Sequence, residues 1–173
     1  MILKAHKPYP AFAVDRHWSI VMSNSALPQL YEGCSPELIR PPVNAVRLAL
    51  HPAGMGPRIV NYGAWRAHMM SVLRQQIDAR GDSALQGLLA EVSAYPTPTN
   101  SEPVESFGPA ERLATPLRIA TRLGAMSFLG TVTVFGTPND VTLSELALEM
   151  LFPADDATAR IAHAMVEEQE RAV

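Results

Sequence analysis

Leu117-Arg118-Ile119-Ala120-Thr121-Arg122-Leu123 and, after a turn at Gly124, Met126-Ser127-Phe128-Leu129-Gly130-Thr131-Val132-Thr133-Val134-Phe135 decide the fold class of this chain. In the first run Leu117, Ile119, Thr121 and Leu123 point one way and Arg118, Ala120 and Arg122 the other, the period of a half-buried strand. The second run is dense in β-branched and aromatic residues, which pack well on a pleated surface, and Gly136-Thr137-Pro138-Asn139-Asp140 supplies the next turn. Together they predict an antiparallel hairpin.

Downstream, Thr142 to Phe152 carries two patterns. Leu143, Leu146, Ala147, Met150 and Leu151 suit a helix, whereas Leu146, Leu148, Met150 and Phe152 alternate as in a strand. Propensity leans to helix. Strand pairing favours the other choice, because Glu145 and Glu149 would share the face opposite the core and could sit beside Arg118 and Arg122. Asp155 or Asp156 then starts a closing helix to about Glu170.

Upstream, Ala11-Phe12-Ala13-Val14 reads as a buried strand, Asp15-Arg16-His17 as its turn, and Trp18-Ser19-Ile20-Val21-Met22-Ser23 as a second strand burying Trp18, Ile20 and Met22. Asn24 or Ser23 can cap a short helix through Ala26, Leu27 and Leu30. Asn44 precedes a short helix over 45–51, stopped by Pro52 and Gly54. Asn61 looks like the cap of the longest helix, in which Tyr62, Trp65, Met69, Val72, Leu73 and Ile77 form one stripe. Gly81 ends that helix, and Asp82 caps another with Leu85, Leu88, Leu89 and Val92 on one side. Residues 96–112 have no periodicity and four prolines, the mark of a surface loop. Two strands, a helical middle and three further extended segments predict an α+β domain with one antiparallel sheet covered by helices.

The 173 residues are enough for one core, so residues 1–173 are expected to form a single domain. A hydrophobic share of 47% against 18% charged residues excludes a disordered chain. The net charge of −3, without a basic run, argues against autonomous nucleic-acid binding. One cysteine, Cys34, excludes an internal disulfide and fits a reducing compartment. With neither a membrane-length apolar run nor a signal-peptide pattern, the expectation is a soluble, cytoplasmic protein with no membrane partner.

Several blocks, in order, resemble a known family. Tyr9-Pro10-Ala11-Phe12-Ala13-Val14-Asp15-Arg16-His17-Trp18, Leu48-Ala49-Leu50-His51-Pro52, Pro57-Arg58-Ile59-Val60-Asn61 with Trp65-Arg66, Phe128 to Thr137, and Thr142 to Glu149 followed by Phe152-Pro153-Ala154-Asp155 are similar to the ligand-binding domain of MmyB-like transcription regulators. The resemblance spans about residues 3–165. It implies a PAS-like fold: a five-stranded antiparallel sheet with helices inserted between strands 2 and 3 and a helix after the last strand, so that 142–152 is the last strand. It also implies an apolar, fatty-acid-like effector and a transcription-regulating role. DNA contact would belong to an N-terminal helix-turn-helix module that these residues do not include, leaving this chain to pair with itself or with a full-length regulator.

No residue pattern points to catalysis. His6, His17, His51, His68 and His163 have no clustered metal-ligand spacing, and Gly54-Met55-Gly56-Pro57 lacks the rest of a dinucleotide loop. No GxSxG elbow or P-loop occurs, and Cys34 has no adjacent histidine. A non-enzymatic sensor without a cofactor is therefore expected, against two alternatives: a small enzyme using a polar pair in the same pocket, or a pure dimerisation module with a filled core. For the pocket lining the candidates are Trp65, Met69, Val72, Leu88 and Val92 on helices, and Phe128, Val132, Val134, Leu148 and Met150 on strands. Each is equally a packing residue in its own right. Eight methionines suit an adaptable apolar surface. An effector carboxylate would want a polar partner, for which Arg58, Arg66 and His68 are the candidates.

Overall fold

The computed structural model describes residues 2–99, 115–134 and 146–171. The expected loop over 96–112 lies mostly outside them, as do Phe135, the turn over 136–140 and Glu145.

Five described strands form one antiparallel sheet: β1 (Ala11–Val14), β2 (Ile20–Ser23), β3 (Leu117–Thr121), β4 (Gly124–Val134) and β5 (Ala147–Pro153), in the spatial order β2-β1-β5-β4-β3. A short helix α1 (Ile2–Ala5) precedes β1. Between β2 and β3 lie α2 (Ala45–Leu50), α3 (Tyr62–Arg80) and α4 (Ser83–Ser93), with single 3-10 turns at Leu27–Tyr31 and Gly56–Arg58, and α5 (Asp156–Arg171) closes the chain. This is the α+β, PAS-like architecture expected: one curled sheet, helices inserted after its second strand, and a helix after its last.

β5 is the central strand, which settles the ambiguous segment as extended over its described part. Its partners are β1, through Phe12 opposite Glu149, and β4, through Val132 opposite Glu149. The expected neighbours Arg118 and Arg122 are thus corrected. Arg118 is on β3, whose one partner among the described strands is β4, and Arg122 pairs with Glu168 of α5 and lies 3.9 Å from Glu32. At the far edge, a register shift between Ala13 and Val14 puts Ile20 opposite Val14 but Met22 opposite Ala13, so Met22 turns to the other face and is 56% exposed instead of buried.

Side-chain stitches hold the helical layer over one face of the sheet. Asn61 precedes α3 but does not cap it. Its Nδ2 donates to the Pro116 carbonyl (2.8 Å) and its Oδ1 accepts from the Arg118 amide (3.1 Å), while the Val60 amide donates to the Arg118 carbonyl (2.8 Å). The start of α3 is therefore fastened to the edge of β3, where Ile59 bridges Ile119. The other half of α3 is fastened to the β1–β2 turn, where Trp18 Nε1 donates to Gln76 Oε1 at 2.9 Å. Trp18 is a turn residue with φ of 68°, a left-handed conformation that costs a bulky side chain about 1–2 kcal/mol. That turn is over-determined by its neighbours. Asp15 Oδ1 accepts from the amides of His17 and Ser19, Asn44 Nδ2 donates to the His17 carbonyl, and the His17 ring meets Asp82 at 3.0 Å.

The expected cap at Asn24 or Ser23 is corrected: Ala26 precedes the 3-10 turn at Leu27–Tyr31 without a side-chain cap, and Asn24 instead ties the Ala11 amide to the Leu3 and Tyr9 carbonyls. The caps of the longer helices match their sequence signals. Asn44 and Asp82 accept amides of the first turns of α2 and α4, Gly81 ends α3 with φ of 66°, and Asp155 Oδ1 accepts from the Thr158 amide at the start of α5. α2 and α4 are joined by a two-pronged Arg47–Glu91 pair at 2.7 Å, and Arg47 holds the Glu91 carboxyl down at about 2. No described helix is long and apolar enough to cross a membrane.

Asn61 is buried and uses both ends of its amide, so Asn61→Ala strands a backbone donor and a backbone acceptor at the sheet edge. The expected loss is about 2–4 kcal/mol in urea unfolding. Asn61→Asp, which retains only the acceptor role, should also be destabilised.

Candidate functional site

The inner face of the sheet and the helical layer do not meet everywhere. Between them is a cavity of about 270 Å³. Strand alternation selects its floor: Phe12, Glu149 and Val132 form one cross-strand row, and Leu151 with Gly130 forms the next. Trp65, His68, Met69 and Val72 of α3 form the roof, with Leu48 and Ala49 of α2, Leu30 and Tyr31 of the first 3-10 turn, and Met55 closing the sides. A second cavity of about 360 Å³ shares Trp18, Val72, Val132 and Glu149 with the first. Its floor continues to Val14, Val134 and Ala147, and Asp15, Arg16, Arg80 and Asp82 add charge to its lining.

The expected pocket residues are sorted by this geometry. Trp65, Met69, Val72, Val132 and His68 line the first cavity, and Val134 lines the second. Leu88 and Val92 are buried on α4 within the packed core, and Phe128, with no exposure, fills the core midway along β4. Leu148 and Met150 alternate with the cavity-lining Glu149 and Leu151, so they project from the outer face of the sheet. The phase of β5 is thus the reverse of that expected: Glu149, read from sequence as facing away from the core, faces the cavity.

The two arginines are placed elsewhere too. Arg58 donates to the Leu30 carbonyl at 2.5 Å and reaches Cys34 Sγ at 3.7 Å, holding the 3-10 turn to its neighbour. Arg66 donates to the carbonyls of Val92 (3.3 Å) and Ser93 (2.5 Å) at the end of α4. Both guanidinium groups serve helix and turn carbonyls, though the buried Arg66 Nε has no partner among the described residues, and neither lines either of these two cavities. His51 accepts from the Ala53 amide through Nδ1 (2.9 Å) and packs on Tyr95, a structural role at the end of α2.

What the cavity offers chemically is an apolar cleft, open where Val132 is exposed, with few polar groups. Burial lifts the Glu149 carboxyl to about 7 and, with the Cys34 thiol as a lesser cause, lifts the Tyr31 hydroxyl to about 12. Desolvation lowers the His68 imidazole. The Trp65 indole nitrogen is buried with no hydrogen-bond partner among the described residues. No group of three His, Cys, Asp or Glu that could hold a metal ion occurs among them either. Sequence reading missed Phe12, Trp18, Tyr31, Gly130 and Glu149. The glutamate alone had a usable signal, since an acid in a central strand faces either the cavity or the outer face and only register decides.

Because the Glu149 carboxyl stands at about 7 in the fold against an ordinary 4.5, folding favours its protonated form. Its penalty is absent below about pH 4.5, grows as pH rises through the interval, and is complete above 7. Between pH 5 and pH 8 the protein should therefore lose on the order of 2 kcal/mol relative to Glu149→Gln, measured by urea unfolding at both values.

Comparison with curated proteins gives no match. The sequence does match one family, the MmyB-like transcription regulator ligand binding domain, over residues 1–165 of its 173. That span takes in all five strands, both cavities and most of α5. The chain belongs to the MmyB-like transcription regulator ligand binding domain family.

Proposed function

We propose that this domain is a non-enzymatic cytoplasmic sensor, and that an apolar small molecule with a fatty-acid-like chain occupies the cavity between the sheet and α3. The observation that carries this reading is the apolar cleft under Trp65, Met69 and Val72, close to the smallest sizes usual for small-molecule sites. A module serving only to dimerise has no need of such a space. A catalytic reading calls for a polar pair in the cavity, and no hydrogen bond joins His68 to a carboxylate among the described residues.

Binding has a regulatory consequence only if the effector prefers one arrangement of the domain. α3 is the element to transmit it, being cavity roof along one side and joined to the β1–β2 turn through Gln76. The shift would pass to a second copy or to a helix-turn-helix module that contacts the operator.

Gly130 offers a clean test. A Cβ there would lie 3.7 Å from Leu151, ordinary contact distance, so a side chain is tolerated and enters the cavity. In Gly130→Leu the co-purifying apolar molecule found by mass spectrometry of an organic extract of the wild type should disappear, with stability kept or raised. An empty wild-type extract together with no thermal shift from a panel of fatty acids, alcohols and amines would overturn the proposal.

A further inference from the structure

Glu149 is the sole carboxylate lining the first cavity among the described residues, and it stands where the two cavities join. No hydrogen bond or ion pair from a described residue satisfies it. A carboxylate taken out of water without a partner is costly, and Glu149 lowers that cost by keeping its proton to higher pH; a cationic group entering the cavity would offset it further. Arg58 and Arg66 are held by carbonyls outside the first cavity, and Arg16 and Arg80 line only the second, so no arginine or lysine among the described residues lines the first. The rings of Trp18 and Trp65 line the same space, and aromatic faces attract cations.

On the reading of this cavity as an effector site, we propose that Glu149 selects the head group, favouring an amphiphile with a hydrogen-bond-donating cationic head, a protonated alkylamine, over a fatty-acid anion. An ammonium head makes a charge-assisted hydrogen bond to the carboxylate while its chain lies along Val132, Leu151 and Met69. A carboxylate head meets a like charge, or has to share a proton with it.

Other titratable or charged groups around Glu149 are His68 of α3 and Tyr31 in the first cavity, and Asp15, Arg16, Arg80 and Asp82 in the second. Asp15 is occupied by backbone amides, and Asp82 by the α4 cap and His17. His68 would bias binding in the same sense as Glu149 when pH changes, so it needs its own control. Raising pH through about 7 ionises Glu149, which should strengthen amine binding and weaken that of the anion.

Calorimetric titration of the full chain with decylamine, decanol and decanoate at pH 6 and pH 8 tests this. At pH 8 decylamine should bind at least about tenfold more tightly than decanoate, with the gap narrowing at pH 6. Glu149→Gln should abolish the gap and leave decanol unchanged, while His68→Gln should retain it. Decanoate binding as tightly as decylamine to the wild type, or a gap that survives Glu149→Gln, would overturn the selectivity while leaving the sensor reading intact. Failure of all three probes, decanol included, would instead overturn the sensor reading itself.

Discussion

The separation between α3 and the sheet is the constraint on which the rest of the molecule depends. Asn61 and Val60 fasten the start of α3 to the edge of β3, and Gln76 fastens its later half to Trp18 at the β1–β2 turn. Held at two places on opposite sides of the sheet, the helix spans the strands between. Trp65, Met69 and Val72 then hang from it over a floor in which Gly130 contributes no side chain. Apolar surfaces left free would close such a gap, since dry space forfeits contact energy. The polar fastenings hold the interval, and the left-handed Trp18 is a strained residue within one of them.

Charge around the cavity follows from the same arrangement. A helical layer with short connections exposes carbonyl ends, and the arginines nearest them are used to satisfy those ends: Arg66 at the close of α4, and Arg58 at the 3-10 turn containing Leu30. With Arg58 and Arg66 turned to backbone groups and Arg16 and Arg80 lining only the second cavity, Glu149 is the charged side chain on the floor of the first. An apolar chamber with an unpaired acid is chemically different from one with a basic mouth, although both would be described as lipid-like pockets.

Much of the architecture is legible in the sequence because it rests on local signals. Alternation at Leu117 and Ile119, the β-branched run of β4, the stripe of α3, and the caps Asn44, Gly81 and Asp82 each depend on neighbours a few residues away, and each is found where expected. Asn61 marks where locality fails. Its position suggests a helix cap, yet two backbone groups more than fifty residues later compete for its amide and win. The site was half legible for a similar reason: helical periodicity points Trp65, Met69 and Val72 inward without reference to anything distant, whereas Leu148, Met150 and Glu149 cannot be assigned until the neighbours of β5 are known.

The sequence by itself determined the strands, the long helix, the one-sheet fold class and the family. These follow from residue pattern, turn chemistry and spaced blocks of similarity, none of which requires the chain to be folded. Only the tertiary structure decided which face of β5 meets the helices, that an apolar space persists there, and that Arg58 and Arg66 serve carbonyls elsewhere while no described residue pairs with its acid. β5 is apolar in both phases, with Leu148 and Met150 on one side and Leu151 on the other. A shift of one residue in register exchanges every side chain between faces, so the decision falls to pairing with β1 and β4.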